Sequence, residues 1–400
     1  MLSPSLALVI SIAGILILLR MKVHVCFAIF AGSLILALLV LEWNSIPSLM
    51  WGSLINYQTV RLLVIIASAM TLSRLMEEKG MLAGLAVTME SINPKLALHF
   101  IPAIIGLVPM PGGALVSATA SRDLAGRMGL AAERSTFINY WFRHIWEFSL
   151  PVYPAIIVTS VLISVPISFI VVRLLPMTVL AVLFGSVLSY VMLKDIRKVS
   201  GRPPGNLALG FLKASWPILL LVSLILLRLE AMIAFPLTLV LLIIQQRTKR
   251  PELGKAAKYG LDPKILFLLY AVMLYKATIE LSGAAFAIFT DMQLIGLPPV
   301  LILIVLPALM GFAGAISIAY AGVAFPLLVP YFTSISGINS TAVILAYVSG
   351  MVGLLISPVH LCLILSTEYF QAKLARVYRY ILAPALLIEA VAIIIYLLSN

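Results

Sequence analysis

Residues 96–120 read LALHFIPAIIGLVPMPGGALVSATA, and this stretch decides how the remainder of the chain is read. From Leu96 to Val108 the run is apolar and helix-compatible for 13 residues, a length of about 20 Å at 1.5 Å per residue. It is then stopped by Pro109, Met110, Pro111, Gly112 and Gly113. A helix crossing the roughly 30 Å of bilayer hydrocarbon needs about 20 residues, so this leg ends inside the membrane. Pro111 has no N–H to donate, and Gly112 and Gly113 accept positive φ without steric cost, so the pentapeptide turns the chain. The second leg returns through Ser117 and Thr119 to Arg122 and Arg127. The expectation is a re-entrant helical hairpin over 96–120.

Composition supports a membrane setting. Of 400 residues 62% are hydrophobic and only 10% charged, against about 25% charged in an average soluble domain. Apolar runs at roughly 5–19, 23–41, 58–76, 135–165, 174–193, 214–228, 231–246, 265–281, 340–366 and 381–398 give ten candidate crossings. The first lacks a basic leading region and a small-residue cleavage site, so it reads as a retained span. The net charge of +12 lies between the apolar runs and not on a soluble module, which argues against a nucleic-acid partner. With both termini outside a cell membrane, only Arg61, Arg173 and Arg228 are external and only Arg143 and Lys276 lie within apolar segments. The other 22 of the 27 Lys and Arg then fall in inner loops, as the positive-inside rule demands.

The chain also repeats its punctuation. Glu77 and Gly80 match Glu280 and Gly283 at an offset of 203, Pro102 and Gly106 match Pro307 and Gly311 at 205, and Pro151 matches Pro358 at 207. Each unit holds three spans, a broken stretch, a long span with a central proline, and a final span. Five crossings is an odd number, so the second unit begins on the opposite side and lies inverted. The fold class expected is an all-α membrane protein of two inverted five-helix repeats, each with a re-entrant hairpin and a broken helix. Residues 1–193 form the first repeat, with its hairpin at 96–120 and its broken helix at 135–165. Residues 194–213 form a basic linker. Residues 214–400 form the second repeat, with a hairpin at 298–332, a tip at Gly311, Gly314 and Ser317, and a broken helix at 340–366. Half-membrane tips and unwound backbone are tolerated only in protein or against a wet cavity, so both mark a binding site.

The densest polar cluster inside a span is NYWFRHIWE, residues 139–147. Asn139, Arg143 and Glu147 share one helix face at i, i+4, i+8, with His144 about 100° around. A charge at the centre of a membrane helix costs about 2.5–3.5 kcal/mol on insertion scales. Arg143 and Glu147 either neutralise one another or act: Arg143 binding an anion, Glu147 or His144 changing protonation. His360 follows the second break by two residues, and Ser149, Pro151, Ser357 and Pro358 mark the two breaks. Lys276 and Glu280 read as a pair, and Glu389 has no partner evident in sequence. Cys26 and Cys362 read as buried thiols without metal-ligand spacing, and His144 has no second histidine at metal spacing nearby. No metal site and no cofactor are therefore expected, sodium or protons being the only ions in view. Phosphate loops, zinc-protease pairs and nucleophile elbows are absent, which argues against ATP-driven transport and against an enzyme.

The arrangement resembles the ion transporter superfamily, with its gluconate, citrate and dicarboxylate permeases. More narrowly, IPAIIGLVPMPGGALVSA and INYWFRHIWEFSLPVYP resemble a prokaryotic ten-span family, domain of unknown function family 401. The resemblance implies an elevator-type carrier whose scaffold dimerises. It places Pro111, Gly112, Gly113 and Ser117 at the first hairpin tip, Gly314 and Ser317 at the second, and Ser149, Pro151, Ser357 and Pro358 at the broken helices. The function expected is secondary transport of a small organic anion, plausibly a carboxylate, coupled to protons or sodium. The alternatives are a cation/proton antiporter using Glu147 and His144 and, in another class, an intramembrane enzyme acting on a lipid-borne substrate.

Overall fold

A computed structural model describes residues 2–81, 93–110, 113–193, 207–334 and 337–399. Nearly every element is an α-helix, and four are long and apolar enough to cross a membrane unaided: Tyr57–Glu78, Ile167–Met192, the pair within Arg250–Ser282, and Leu374–Ser399. Ten shorter apolar helices accompany them. The chain is a helical membrane protein.

The helices begin where the sequence supplies caps. Ser3, Asn93 and Asp262 accept from first-turn amides, and Pro4, Pro94, Pro154, Pro263 and Pro299 occupy the opening turn, where a missing N–H costs nothing. The first half runs α1 (Pro4–Arg20), α2 (Val25–Val40), α3 (Ile46–Ile55), α4 (Tyr57–Glu78), α5 (Pro94–Ile105), α6 (Gly113–Arg127), α7 (Ala132–His144), α8 (Pro154–Leu162) and α9 (Ile167–Met192). The second runs α10 (Leu207–Leu226), α11 (Ala231–Gln245), α12 (Arg250–Gly260), α13 (Pro263–Ser282), α14 (Ala284–Leu294), α15 (Pro299–Gly314), α16 (Ser317–Phe332), α17 (Ser340–Leu355), α18 (Leu361–Phe370) and α19 (Leu374–Ser399). A two-residue-per-strand hairpin, Thr333–Ser334 against Gly337–Ile338, joins α16 to α17.

Several contacts between the halves recur when the halves are exchanged. Helix α2 packs on α13 and α4 on α11; α6 packs on α18 and α16 on α8; α9 packs on α19. Each hairpin also lies along the first segment of its own broken helix, α5 on α7 and α15 on α17. At these crossings glycine permits the approach. A Cβ on Gly106 would lie 2.2 Å from the Arg143 carbonyl oxygen, and one on Gly311 would lie 2.1 Å from the Gly350 carbonyl oxygen.

Several boundaries differ from the expectations. Of the expected second tip, Gly311 lies inside α15, while Gly314 ends that helix and Ser317 opens α16, so the reversal falls between them at Ala315, left-handed at φ 52°, and Ile316. Gly311 is small because of helix packing, not because of a turn. The proline pair Pro102 and Pro307 likewise sits inside helices, which neighbouring helices tolerate. The stretch 135–165 is two helices, interrupted by a 3-10 turn at Ile145–Phe148 and irregular backbone before Pro154. Helix α10 reaches back to Leu207, into the stretch read as linker, whose remaining residues 194–206 lie outside the described residues. Helices α3, α12 and α14 have no counterpart among the apolar runs, the first two being too short or too polar to register as crossings.

Gly311→Ala is expected to lower the thermal unfolding temperature in detergent, because its methyl meets backbone and costs about 1–3 kcal/mol. Gly126→Ala, with nothing within 4 Å of its added Cβ, should be neutral or stabilising by up to about 1 kcal/mol. Equal behaviour of the two would refute the close α15–α17 crossing.

Candidate functional site

Helix ends leave carbonyls without partners in their own helix, and where they are buried other groups must satisfy them. Here side chains from the broken helices do so. At the end of α5, Trp146 donates to Ala103 O (2.7 Å), Tyr153 to Gly106 O, and Arg143 Nη2 to Met110 O (2.8 Å). At the end of α15, Ser357 donates to Phe312 O (2.6 Å), while His360 Nδ1 lies 2.9 Å from Ala315 O. The broken helices then cap each other: Tyr140 donates to Leu355 O at 2.9 Å, and Tyr347 donates to Glu147 O at 2.8 Å. Tyr140 and Tyr347 are 207 residues apart, the same offset as Pro151 and Pro358.

Arg143 is buried at the first hairpin. Its guanidinium lies against the bare face of Gly113, where a Cβ would sit 2.3 Å from Nη2 and 2.8 Å from Nε. The Glu147 carboxylate is 4.0 Å from Nη1, at the outer limit of an ion pair, and Nε has no hydrogen-bond partner. Helix α6 starts at Gly113, and the first-turn amides of a helix have no partner within it. A positive side chain and a helix N-terminus therefore share this point.

His144 and His360 come from different halves, and their Nε2 atoms are 3.1 Å apart. Cys362 joins them, the three ligand atoms lying within 4.8 Å of one another. Glu147 Oε1 is 3.8 Å from His144 Nε2. Asn139, one turn away, donates to Ala114 O (3.0 Å) and to Ser366 Oγ (2.9 Å), leaving its buried Oδ1 unpartnered.

The structure thus gathers Asn139, Arg143, His144, Glu147, Gly113 and His360 into one cluster. Ser117 is buried in α6 but spends its hydroxyl on Ala114 O. Ser149 and the buried Pro151 lie at the first break, with the Ser149 hydroxyl 2.6 Å from that of Thr178 in α9. Ser357 caps the second hairpin, while Pro358 is exposed and Gly314 and Ser317 are half-buried. Pro111 and Gly112 lie outside the described residues. Lys276 pairs more closely with Gln58 (2.7 Å) than with Glu280 (3.5 Å), and Glu389 has its partner in Ser349 at 2.6 Å. The residues that sequence reasoning missed are Tyr140, Trp146, Tyr153, Tyr347 and Cys362. The tyrosine pair was signalled by its 207 offset; for Cys362 the sequence offered only His360 two residues before it, since His144, the other member of the group, is remote in sequence.

A cavity of about 980 Å³ lies away from this cluster, between α4, α9 and α10, and gathers Arg61, Arg173 and Arg228, with Arg61 bound to Glu230 at 2.8 Å. These are the three arginines that the charge pattern leaves outside.

Tyr140→Phe should uncap Leu355 O and cost about 1–3 kcal/mol in unfolding free energy, read as a lowered thermal midpoint. An unchanged midpoint would show that the two broken helices do not depend on this bond.

Comparison with known proteins places the chain. A model of the family described as "Protein of unknown function (DUF401)" matches residues 2–399. Among solved structures the chain is similar to the YdaH transporter of Alcanivorax borkumensis, reported as having an unusual topology. The TM-score is 0.65 at 14% identity, covering 98% of this chain and 97% of that one. At that identity the likeness is one of fold. No curated protein matches.

Proposed function

The chain belongs to the DUF401 family, and from that premise we propose that it is a secondary active transporter of a small organic anion, a carboxylate, coupled to protons or sodium. The observation that carries this reading is Arg143. A buried guanidinium with an unpartnered Nε, held by Met110 O against the start of α6, is a built receptor for a planar anion. Arginine presents paired N–H groups that match a carboxylate, and Glu147 at 4.0 Å compensates the charge only weakly.

The architecture supports alternating access. Two hairpins, two broken helices and contacts that survive exchange of the halves fit inverted repeats with the site at their crossing. In this reading the hairpins and broken helices move together as an elevator against the remaining spans, in a cell membrane, with both termini outside. The fold likeness to a protein described as a transporter agrees with that class. A second reading, cation/proton antiport, draws support from Glu147 and His144 lying 3.8 Å apart.

The test is thermal unfolding of purified protein against mono-, di- and tricarboxylates, with and without sodium, at two pH values. A ligand at a hundredfold excess over Kd adds about 2.7 kcal/mol, so at least one carboxylate should raise the midpoint clearly. Arg143→Lys should abolish that shift, whereas Glu147→Gln should preserve it and alter its pH dependence. If no carboxylate shifts the native protein and proteoliposomes dissipate a proton or sodium gradient without organic solute, antiport is correct instead.

A further inference from the structure

The two buried imidazoles at the crossing of the broken helices are short of one positive centre. His144 Nδ1 is 2.5 Å from Tyr140 O, and His360 Nδ1 is 2.9 Å from Ala315 O. A carbonyl oxygen only accepts, so each ring places its single hydrogen on Nδ1. Each Nε2 then directs a lone pair at the other across 3.1 Å. Three contacts call for three hydrogens, and two neutral imidazoles supply two. A cation between the Nε2 atoms removes the conflict.

We propose that His144, His360 and Cys362 bind one borderline-soft divalent metal ion of the zinc class, with Glu147 as the fourth ligand. The donor set of two imidazoles, a thiolate and a carboxylate suits zinc or its neighbours and not sodium or magnesium, which select oxygen. Zinc–nitrogen bonds of about 2.0–2.1 Å in a tetrahedral site bring two nitrogens to roughly 3.3 Å, close to the separation here. The Nδ1–H to carbonyl bonds are the outer-shell contacts that orient metal-bound histidines. Sγ lies within 4.8 Å of both nitrogens and Glu147 Oε1 within 3.8 Å of one, so both need only turn inward as the ion enters. A shared proton is the competing centre, but it leaves the thiol and the carboxylate without a role. Because His144 belongs to the first half and His360 and Cys362 to the second, the ion would join the halves where they cross.

The experiment uses the full chain in detergent, stripped of metal and titrated with zinc or cobalt(II). One ion per chain is expected, and the cobalt form should show a thiolate-to-cobalt charge-transfer band with the visible absorption of a tetrahedral site. Cys362→Ser should lose the charge-transfer band, and His360→Gln should weaken cobalt binding by about a hundredfold or more. The spectrum of the unsubstituted protein decides the matter even if a variant fails to fold. Absence of stoichiometric cobalt, or a spectrum without thiolate character, overturns the proposal and leaves the pair to a proton. Metal binding in detergent needs no carboxylate solute and no gradient, so this result is separable from the outcome for anion transport.

Discussion

Everything in this fold turns on buried carbonyls that stop hydrogen bonding to their own helices. Hydrocarbon offers no partner for them, and each unmet group costs several kcal/mol. The chain meets the cost with side chains carried by the broken helix of the same half: Trp146, Tyr153 and Arg143 for the first hairpin, Ser357 and His360 for the second. Tyr140 and Tyr347 close the set by capping across the halves. The polar residues that look expensive inside a span are thus the means by which irregular backbone is kept there.

The same residues that satisfy backbone also concentrate chemistry. Arg143 anchors Met110 with one nitrogen and keeps Nε unpartnered, and the imidazoles that bond Tyr140 O and Ala315 O expose their other nitrogens to each other. A structural bond on one edge of each side chain fixes the direction of the free edge. Site and scaffold are consequently one network.

Much of this was legible in the sequence because it rests on length and punctuation. A 13-residue apolar leg followed by PMPGG reads as a helix that stops early, as α5 does at Ile105, and proline spacing located both breaks. The face holding Asn139, Arg143 and Glu147 followed from helical geometry. What was not legible depends on contacts between distant residues. Cys362 reads as an inert thiol until folding sets it beside His144, and Glu389 looks unpaired until α19 lies along α17 and Ser349 reaches it. At the second tip Gly314 and Ser317 flank the reversal as read, but glycine serves two purposes: Gly311 is small to admit the Gly350 carbonyl, and Ala315 takes the left-handed turn.

The central claim is that two half-membrane hairpins enter from opposite faces and meet at the broken helices. Single cysteines at Asp123, beyond the first hairpin, and at Thr333, beyond the second, on a background lacking Cys26 and Cys362, test it directly with a membrane-impermeant maleimide. The account predicts labelling at 123 only in inside-out vesicles and at 333 only in intact cells. Labelling of both positions from the same face would contradict it.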